Sequence, residues 1–246
     1  MLKIDLNCDM GEGMSTDAAI IPYISSANIA CGYHAGDEDT IKRTIALCLK
    51  HSVAIGAHPG FADKNNFGRI TVKLNEKELY DLFTAQLFII QKAAAEMGAT
   101  VHHVKPHGAL YNMAATDNVY AKTIAKATKD VDAGLIFYGL SNSYMIEAAA
   151  ALHIKTASEV FADRTYQDDG TLTPRSQSNA LITDTTLVVK QALQLVTENK
   201  VTSVNNKTVF VKAGTICLHG DGEHADIFAK IIFEALQQQH IHIETI

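Results

Sequence analysis

The sequence predicts an α/β fold in which parallel strands roll into a barrel, and three observations carry that prediction. Short runs rich in Val and Ile alternate with longer segments of helical period. Within the runs, polar residues recur at every second position, so each strand has one polar and one aliphatic face. At 246 residues and 47% hydrophobic, the chain has the bulk of one such barrel, and residues 1–246 are expected to form a single domain.

Seven strands are expected, centred on residues 2–9, 26–33, 53–58, 101–107, 134–140, 155–163 and 208–219, each followed by a helix or by a loop and then a helix. Asp37 stands where an N-cap would open a helix carrying Ile41, Ile45 and Leu49. Asn75 with Glu78 reads as a capping box before Leu79, Leu82, Phe83, Leu87 and Ile90, which share one helical face. Ile227, Phe228, Ile231 and Leu236 suggest a last amphipathic helix. Residues 59–74 and 164–183 break the rhythm. They are polar, contain Gly or Pro, and exceed the roughly 12 residues beyond which a loop in a compact domain is usually functional. Both leave the C-terminal ends of strands, where parallel α/β proteins place their sites, so both are expected to act as lids over that end.

A net charge of -6 offers no basic excess for phosphates, which argues against nucleic acid or an anionic membrane as partner. No apolar stretch approaches the roughly 20 residues of a membrane span, and the N-terminus lacks the pattern of a signal peptide. The cysteines Cys8, Cys31, Cys48 and Cys217 form no CxxC pair, which disfavours a disulfide scaffold and points to a cytoplasmic setting. Their expected role is as small buried hydrophobes.

Counting along the strands places Asp5, Asn7 and Asp9 on one face of the first, and Asn28, Ala30, Gly32 and His34 on one face of the second. Likewise His58 aligns with Gly56, His103 with Lys105 and His107, Glu159 with Phe161 and Asp163, and Thr215 with Cys217, His219 and Asp221. Helices must cover the aliphatic face, so the polar face points into the barrel. Buried carboxylates and lysines cost several kcal/mol unless paired. Such a set could be a group of mutually satisfied core ion pairs fixing barrel register. Its position at strand ends fits a catalytic site better.

The chemistry available is that of acid-base hydrolysis. Asp9, Glu12, His58, Lys105, His107, Glu159 and Arg164 are the candidate catalytic groups: carboxylates to take a proton from water, imidazoles to protonate a leaving nitrogen, cations to hold a carboxylate or phosphoryl group. Asn7, Asn28, His34, Arg69, Asp163, His219 and Asp221 are the candidate substrate-binding groups. Several His beside Asp also suit zinc, but no HExxH or comparable compact motif occurs, and no tightly bound metal is expected. No GxxxxGK[ST] loop occurs either, so nucleotide use is not legible from spacing.

The strings DLNCDMGE (5–12), SANIACGYHAGD (26–37), GAHPG (56–60), HVKPHGALYNMAA (103–115), EVFADRTYQDDGTLTPRSQ (159–177) and TICLHGDG (215–222) resemble the LamB/YcsF family, in order and over nearly the whole chain. The resemblance implies a distorted seven-stranded TIM-like barrel of the glycoside hydrolase/deacetylase type. It further implies a hydrolase acting on the C–N bond of a cyclic amide, within an ATP-dependent 5-oxoprolinase that opens 5-oxo-L-proline to L-glutamate. ATP would be a co-substrate, with Mg alongside it left open, and the partners would be subunits B and C. The alternatives are a stand-alone metal-dependent deacetylase or amidohydrolase, and a non-catalytic lactam-binding subunit. The chain departs from the family pattern at the short segment between Glu12 and Ser25, at FADKNNFGRI, where Arg69 stands alone, and at Gly214, where Asp is expected.

Overall fold

A computed structural model describes residues 1–218 and 225–246. Strands β1 (Lys3–Met10), β2 (Ser26–Ala30), β3 (Ala54–His58), β4 (His103–Val104), β5 (Ile136–Leu140) and β6 (Thr156–Phe161) lie side by side in chain order, all parallel. A small antiparallel hairpin, β7 (Lys200–Thr202) with β8 (Thr208–Phe210), precedes β9 (Thr215–Leu218). β9 pairs with both β6 and β1 and closes a seven-stranded parallel barrel. The short β10 (His242–Ile243) adds to the start of β1.

The predicted seventh strand over 208–219 is therefore two strands with different partners. The turn chemistry explains the division. Asn205 and Asn206 sit between two alternating runs, Asn206 adopts φ 58°, and the chain folds back on itself as a hairpin. Among the described residues of that stretch, Thr215–Leu218 joins the barrel. His219 and Asp221, two of the expected substrate-binding residues, lie outside the described residues.

Eight helices are described: α1 (Asp17–Ile20), α2 (Glu38–His51), α3 (Glu76–Glu96), α4 (Gly108–Thr116), α5 (Asn118–Val131), α6 (Tyr144–Ala151), α7 (Thr185–Glu198) and α8 (Ala225–Gln238). The β1–β2 connection holds only the four-residue α1 and a 3-10 turn at Ile21–Tyr23, which is one source of the barrel's distortion. The caps form as the sequence predicts. Asp37 Oδ1 accepts from Thr40 N at 2.8 Å, and Asn75 and Glu78 make both bonds of a capping box, 3.0 and 2.9 Å. Leu79, Phe83, Leu87 and Ile90 are buried from α3, with Leu82 half-buried.

Two helical faces differ from expectation. In α2 the buried stripe is Ile41, Thr44, Ile45 and Cys48, while Leu49 is exposed. At about 100° per residue, Cys48 falls about 20° from Ile41 but Leu49 about 80°. In α8 the buried residues are Ala225, Ala229, Ile232 and Leu236, and Ile227 is exposed. The small alanines let the helix approach the barrel, so the largest side chains do not mark its inner face. No helix among the described residues is long and apolar enough to cross a membrane.

Side-chain alternation places Ile4, Leu6 and Cys8 of β1 in the apolar layer with the helices, and Asp5, Asn7 and Asp9 inside the barrel. Gly56 of β3 is small because the His103 ring from β4 occupies its inner side: a Cβ there would lie 2.1 Å from His103 Nε2. That ring is fully buried, stacked on Tyr138 at 4.2 Å and bonded to Asn28 Oδ1 at 2.9 Å, so it has no room to yield. Gly56→Ala is expected to lower the unfolding free energy by about 1–3 kcal/mol, measured by urea denaturation; an unchanged midpoint would show that the ring can move aside.

Candidate functional site

The barrel interior is built of polar layers. Lowest is Asp5, whose carboxylate accepts from Ser25 (2.7 Å), Ser26 (2.6 Å) and Thr215 (2.6 Å). Burial raises its pKa despite those bonds. Above it, Asn7 Nδ2 donates to Glu159 Oε1 (3.0 Å) and Thr215 Oγ1 (2.7 Å), and Asn28 Nδ2 donates to Asn7 Oδ1 (2.7 Å) and Asp9 Oδ1 (2.8 Å). Asn28 Oδ1 faces His103 Nε2. Both amides are fully buried and use both hydrogens on protein acceptors. They hold other groups of the barrel interior in place, beneath the layer of Lys105.

The next layer centres on Lys105, which is 2% exposed. Its ammonium lies 2.9 Å from each of Asp9 Oδ1, Glu159 Oε1 and Cys217 Sγ. Burial alone would lower its pKa, but the carboxylates of Asp9 and Glu159 beside it outweigh burial and raise it well above its ordinary value. Lys105 is therefore held as a cation. The Cys217 thiol is pushed up by burial and faces the ammonium as a neutral acceptor. All four cysteines are free and buried.

Above this layer stand three imidazoles and Glu12. His58, at the end of β3, places Nε2 at 3.3 Å from Asp9 Oδ2 and 2.9 Å from His107 Nδ1. Glu12 Oε1 lies 3.3 Å from His107 Nδ1 and 3.4 Å from His34 Nε2. The His34 ring stacks on His107 with centroids 3.8 Å apart, and its pKa is lowered to about 3, first by burial and then by His58. His107 is lowered well below its ordinary value, by burial and then by His58 and His34. Strand counting reaches His34 by a route the backbone does not take. β2 ends at Ala30, and Gly32 at φ 85° turns the chain before His34 enters the site.

Asp9, Glu12, His58, Lys105 and His107 open onto a cavity of about 700 Å³ at the C-terminal ends of the strands. The loop over residues 59–74 supplies Arg69 and Thr71 to its wall, and Gln86 of α3 pairs both ways with the Gly60 backbone (2.9 and 2.8 Å) to fix the loop's start. The loop over 164–183 supplies Arg164, Asp169, Thr171 and Arg175, so it does border the mouth. It is internally tied: Arg164 pairs with Leu181 and Tyr166 with Leu172 in isolated bridges. Arg164 donates Nε to Ala180 O (3.2 Å) and Nη2 to Thr173 O (2.6 Å), so part of its guanidinium braces the loop instead of facing a ligand. Glu159 lies beneath the wall, and Asp163, although 8% exposed, does not line the cavity. Its backbone oxygen instead accepts from Ile182 N.

Sequence reasoning missed Tyr111, which lines the cavity from the first turn of α4. Burial, and then Glu159, raises its phenol well above the usual range. The signal was its place four residues after His107, one helical turn above the mouth. It also left out Asp5 and His103, which lay in the correct alternation phase but sit beneath the site and not in it.

A closed parallel barrel that gathers carboxylates, imidazoles and a lysine from several strands at one mouth defines a TIM-like barrel with a polar cavity at the C-terminal ends of its strands. Within that class the chain belongs to the LamB/YcsF family, which matches residues 4–246. The A subunit of 5-oxoprolinase from Staphylococcus aureus strain MRSA252 is 48% identical over 250 residues, covering 100% of both chains. The crystal structure of a lactam utilization protein from Thermus thermophilus superposes with a TM-score of 0.94 at 37% identity, covering 100% of each chain. The peptidoglycan deacetylase PdaC from Bacillus subtilis, at 13% identity and a TM-score of 0.53 over 100% of this chain and 88% of its own, shares the fold.

Burial lowers the pKa of His103 well below its ordinary 6.5. The folded protein therefore refuses a proton that the unfolded chain accepts, and this histidine's contribution is complete above about 6.5 and lost as pH falls below it. His103→Gln keeps a donor for Asn28. It is expected to flatten the pH dependence of unfolding free energy below pH 6.5 by up to about 1.4 kcal/mol per pH unit, read from denaturant titrations of variant and parent; parallel curves would contradict a buried neutral imidazole.

Proposed function

We propose that this chain is the A subunit of an ATP-dependent 5-oxoprolinase, opening 5-oxo-L-proline to L-glutamate while ATP is hydrolysed to ADP and phosphate. The observation that carries this reading is the 48% identity, over the full length of both chains, to proteins named for that activity. The site chemistry agrees with it.

A five-membered lactam is resonance-stabilised and releases little strain on opening. Transfer of a phosphoryl group to the amide oxygen makes that oxygen part of a leaving group. Attack by one water on the same carbon and cleavage of the C–N bond, with a proton delivered to nitrogen, leave an acyl phosphate, and a second water hydrolyses it to the free carboxylate and phosphate. The permanently charged Lys105 suits the negative charge that builds on the phosphorylated oxygen. Asp9, within reach of both Lys105 and His58, suits the role of accepting a proton from water and returning it to nitrogen. Arg69 and Arg175 on the cavity wall suit the substrate carboxylate. The assembly, with subunits B and C contributing the nucleotide machinery, would work in the cytoplasm, where four free thiols persist.

The test measures glutamate release from 5-oxoproline, with and without ATP, for the pure chain and for the mixture with subunits B and C. ATP-dependent turnover is expected only in the mixture. In that mixture Asp9→Asn and Lys105→Ala should each lower kcat by about 10²–10⁴-fold, with circular dichroism confirming that each variant is folded. Wild-type kcat in both folded variants would leave the chain a lactam-binding subunit, and full turnover without ATP would overturn the coupling.

A further inference from the structure

We propose that Glu12, His34, His58 and His107 form a binding site for a divalent transition cation of the zinc class. This proposal does not rest on the oxoprolinase reading. Each residue offers one ligand atom, all four atoms lie within 4.8 Å of one another, and all four residues are buried.

The hydrogen bonds outside the cluster decide what its inner atoms are. His58 Nδ1 lies 2.8 Å from Lys105 O, and His107 Nε2 lies 2.8 Å from Phe67 O. A carbonyl oxygen only accepts, so each of these nitrogens carries the proton. In the neutral rings the lone pairs then sit on His58 Nε2 and His107 Nδ1, the two atoms that face each other at 2.9 Å. Two lone pairs at that distance repel unless a cation lies between or beside them. A ring nitrogen tied to a backbone carbonyl while its partner faces inward is also how metal-ligating histidines are oriented.

His34 supplies the second observation. Its side chain is fully buried, and neither ring nitrogen has a hydrogen-bond partner among the described residues. A buried imidazole without partners is costly, and its Nε2 is aimed at Glu12 Oε1, the atom His107 Nδ1 also faces. Donor atoms about 2.0–2.1 Å from a tetrahedral zinc are about 3.3–3.4 Å apart. The Glu12–His34 and Glu12–His107 separations of 3.4 and 3.3 Å match that spacing. Small residues keep the imidazoles in place: a Cβ on Gly60 would lie 2.9 Å from His34 Nδ1, and one on Gly68 would lie 2.9 Å from His34 Cβ and 3.0 Å from His107 Cδ2. Three imidazoles and one carboxylate favour zinc, cobalt or nickel over magnesium, which prefers oxygen and water.

The experiment uses the full chain, stripped with chelator and then titrated with zinc, with cobalt as a spectroscopic probe, and with magnesium. Uptake is read by elemental analysis after gel filtration, by the cobalt visible bands, and by the thermal midpoint. One equivalent of zinc or cobalt is expected, with visible bands of low coordination number and a raised midpoint. His34→Gln and Glu12→Gln, both checked for folding by circular dichroism, should weaken binding by about tenfold or more, while His51→Ala on the exposed end of α2 should bind like the parent. No uptake at micromolar free zinc, or uptake undiminished in both ligand variants, would overturn the site, as would binding of magnesium in preference to zinc.

Discussion

The ammonium of Lys105 is the constraint on which the barrel's interior depends. It belongs to the chain that leaves β4, and its three closest partners come from β1, β6 and β9. An ion pair this deep is weak evidence of stability in itself, because desolvation of both charges offsets most of their attraction. Its effect is on arrangement. With Asp9 and Glu159 both buried against it, the cation has one place to be, and Asn7 and Asn28 carry that placement across to His103. Four strands are thereby held to one register by charge instead of by the aliphatic layers that fill other small barrels. Removing the cation would leave two carboxylates facing each other, a loss of about 3–5 kcal/mol when one partner of a buried pair is deleted.

Much of this was legible from the sequence because it follows from a period of two. Asp5, Asn7 and Asp9 had to share a face, as did Lys105 and His107, and a helical coat on the other face left only the inside for them. The same arithmetic failed where the backbone stops being a strand. It carried Thr208 and Thr215 into one strand, although Thr208–Phe210 folds back across an Asn-Asn turn to pair with Lys200–Thr202 while Thr215–Leu218 joins the barrel. It gave the direction of Asn7 and Asn28 but not the protein acceptors that meet their amide hydrogens. Arg164 was legible as a cation at a strand end. That its fork grips Thr173 and Ala180 depends on a loop geometry that no periodicity encodes.

The two long loops do different work. Residues 59–74 are pinned at Gly60 by Gln86 and at Phe67 by His107, so this segment is part of the wall that orients the imidazoles. Residues 164–183 carry their own bridges and present Asp169, Thr171 and Arg175 to the cavity. The inner groups are fixed by strands and the outer ones by these loops.

The C-terminal segment closes the barrel at the end away from the cavity. His242 N and Glu244 N donate to Leu2 O and Ile4 O, Thr245 Oγ1 meets Ser26 Oγ at 3.2 Å, and Ile246 O meets His102 Nε2 at 3.2 Å. Ser26 in turn holds Asp5, Asp5 holds Thr215, and Thr215 holds Asn7 against Glu159 and Lys105. The tail is thus a drain plug under a stack of hydrogen bonds. Lifting it admits water to Ser26 and Asp5, and lets the lowest carboxylate ionise in solvent instead of against its hydroxyl partners. A protein chemist who shortens this chain by a few residues, or welds a bulky fusion to them, has edited the foundation of the polar cavity from its far side.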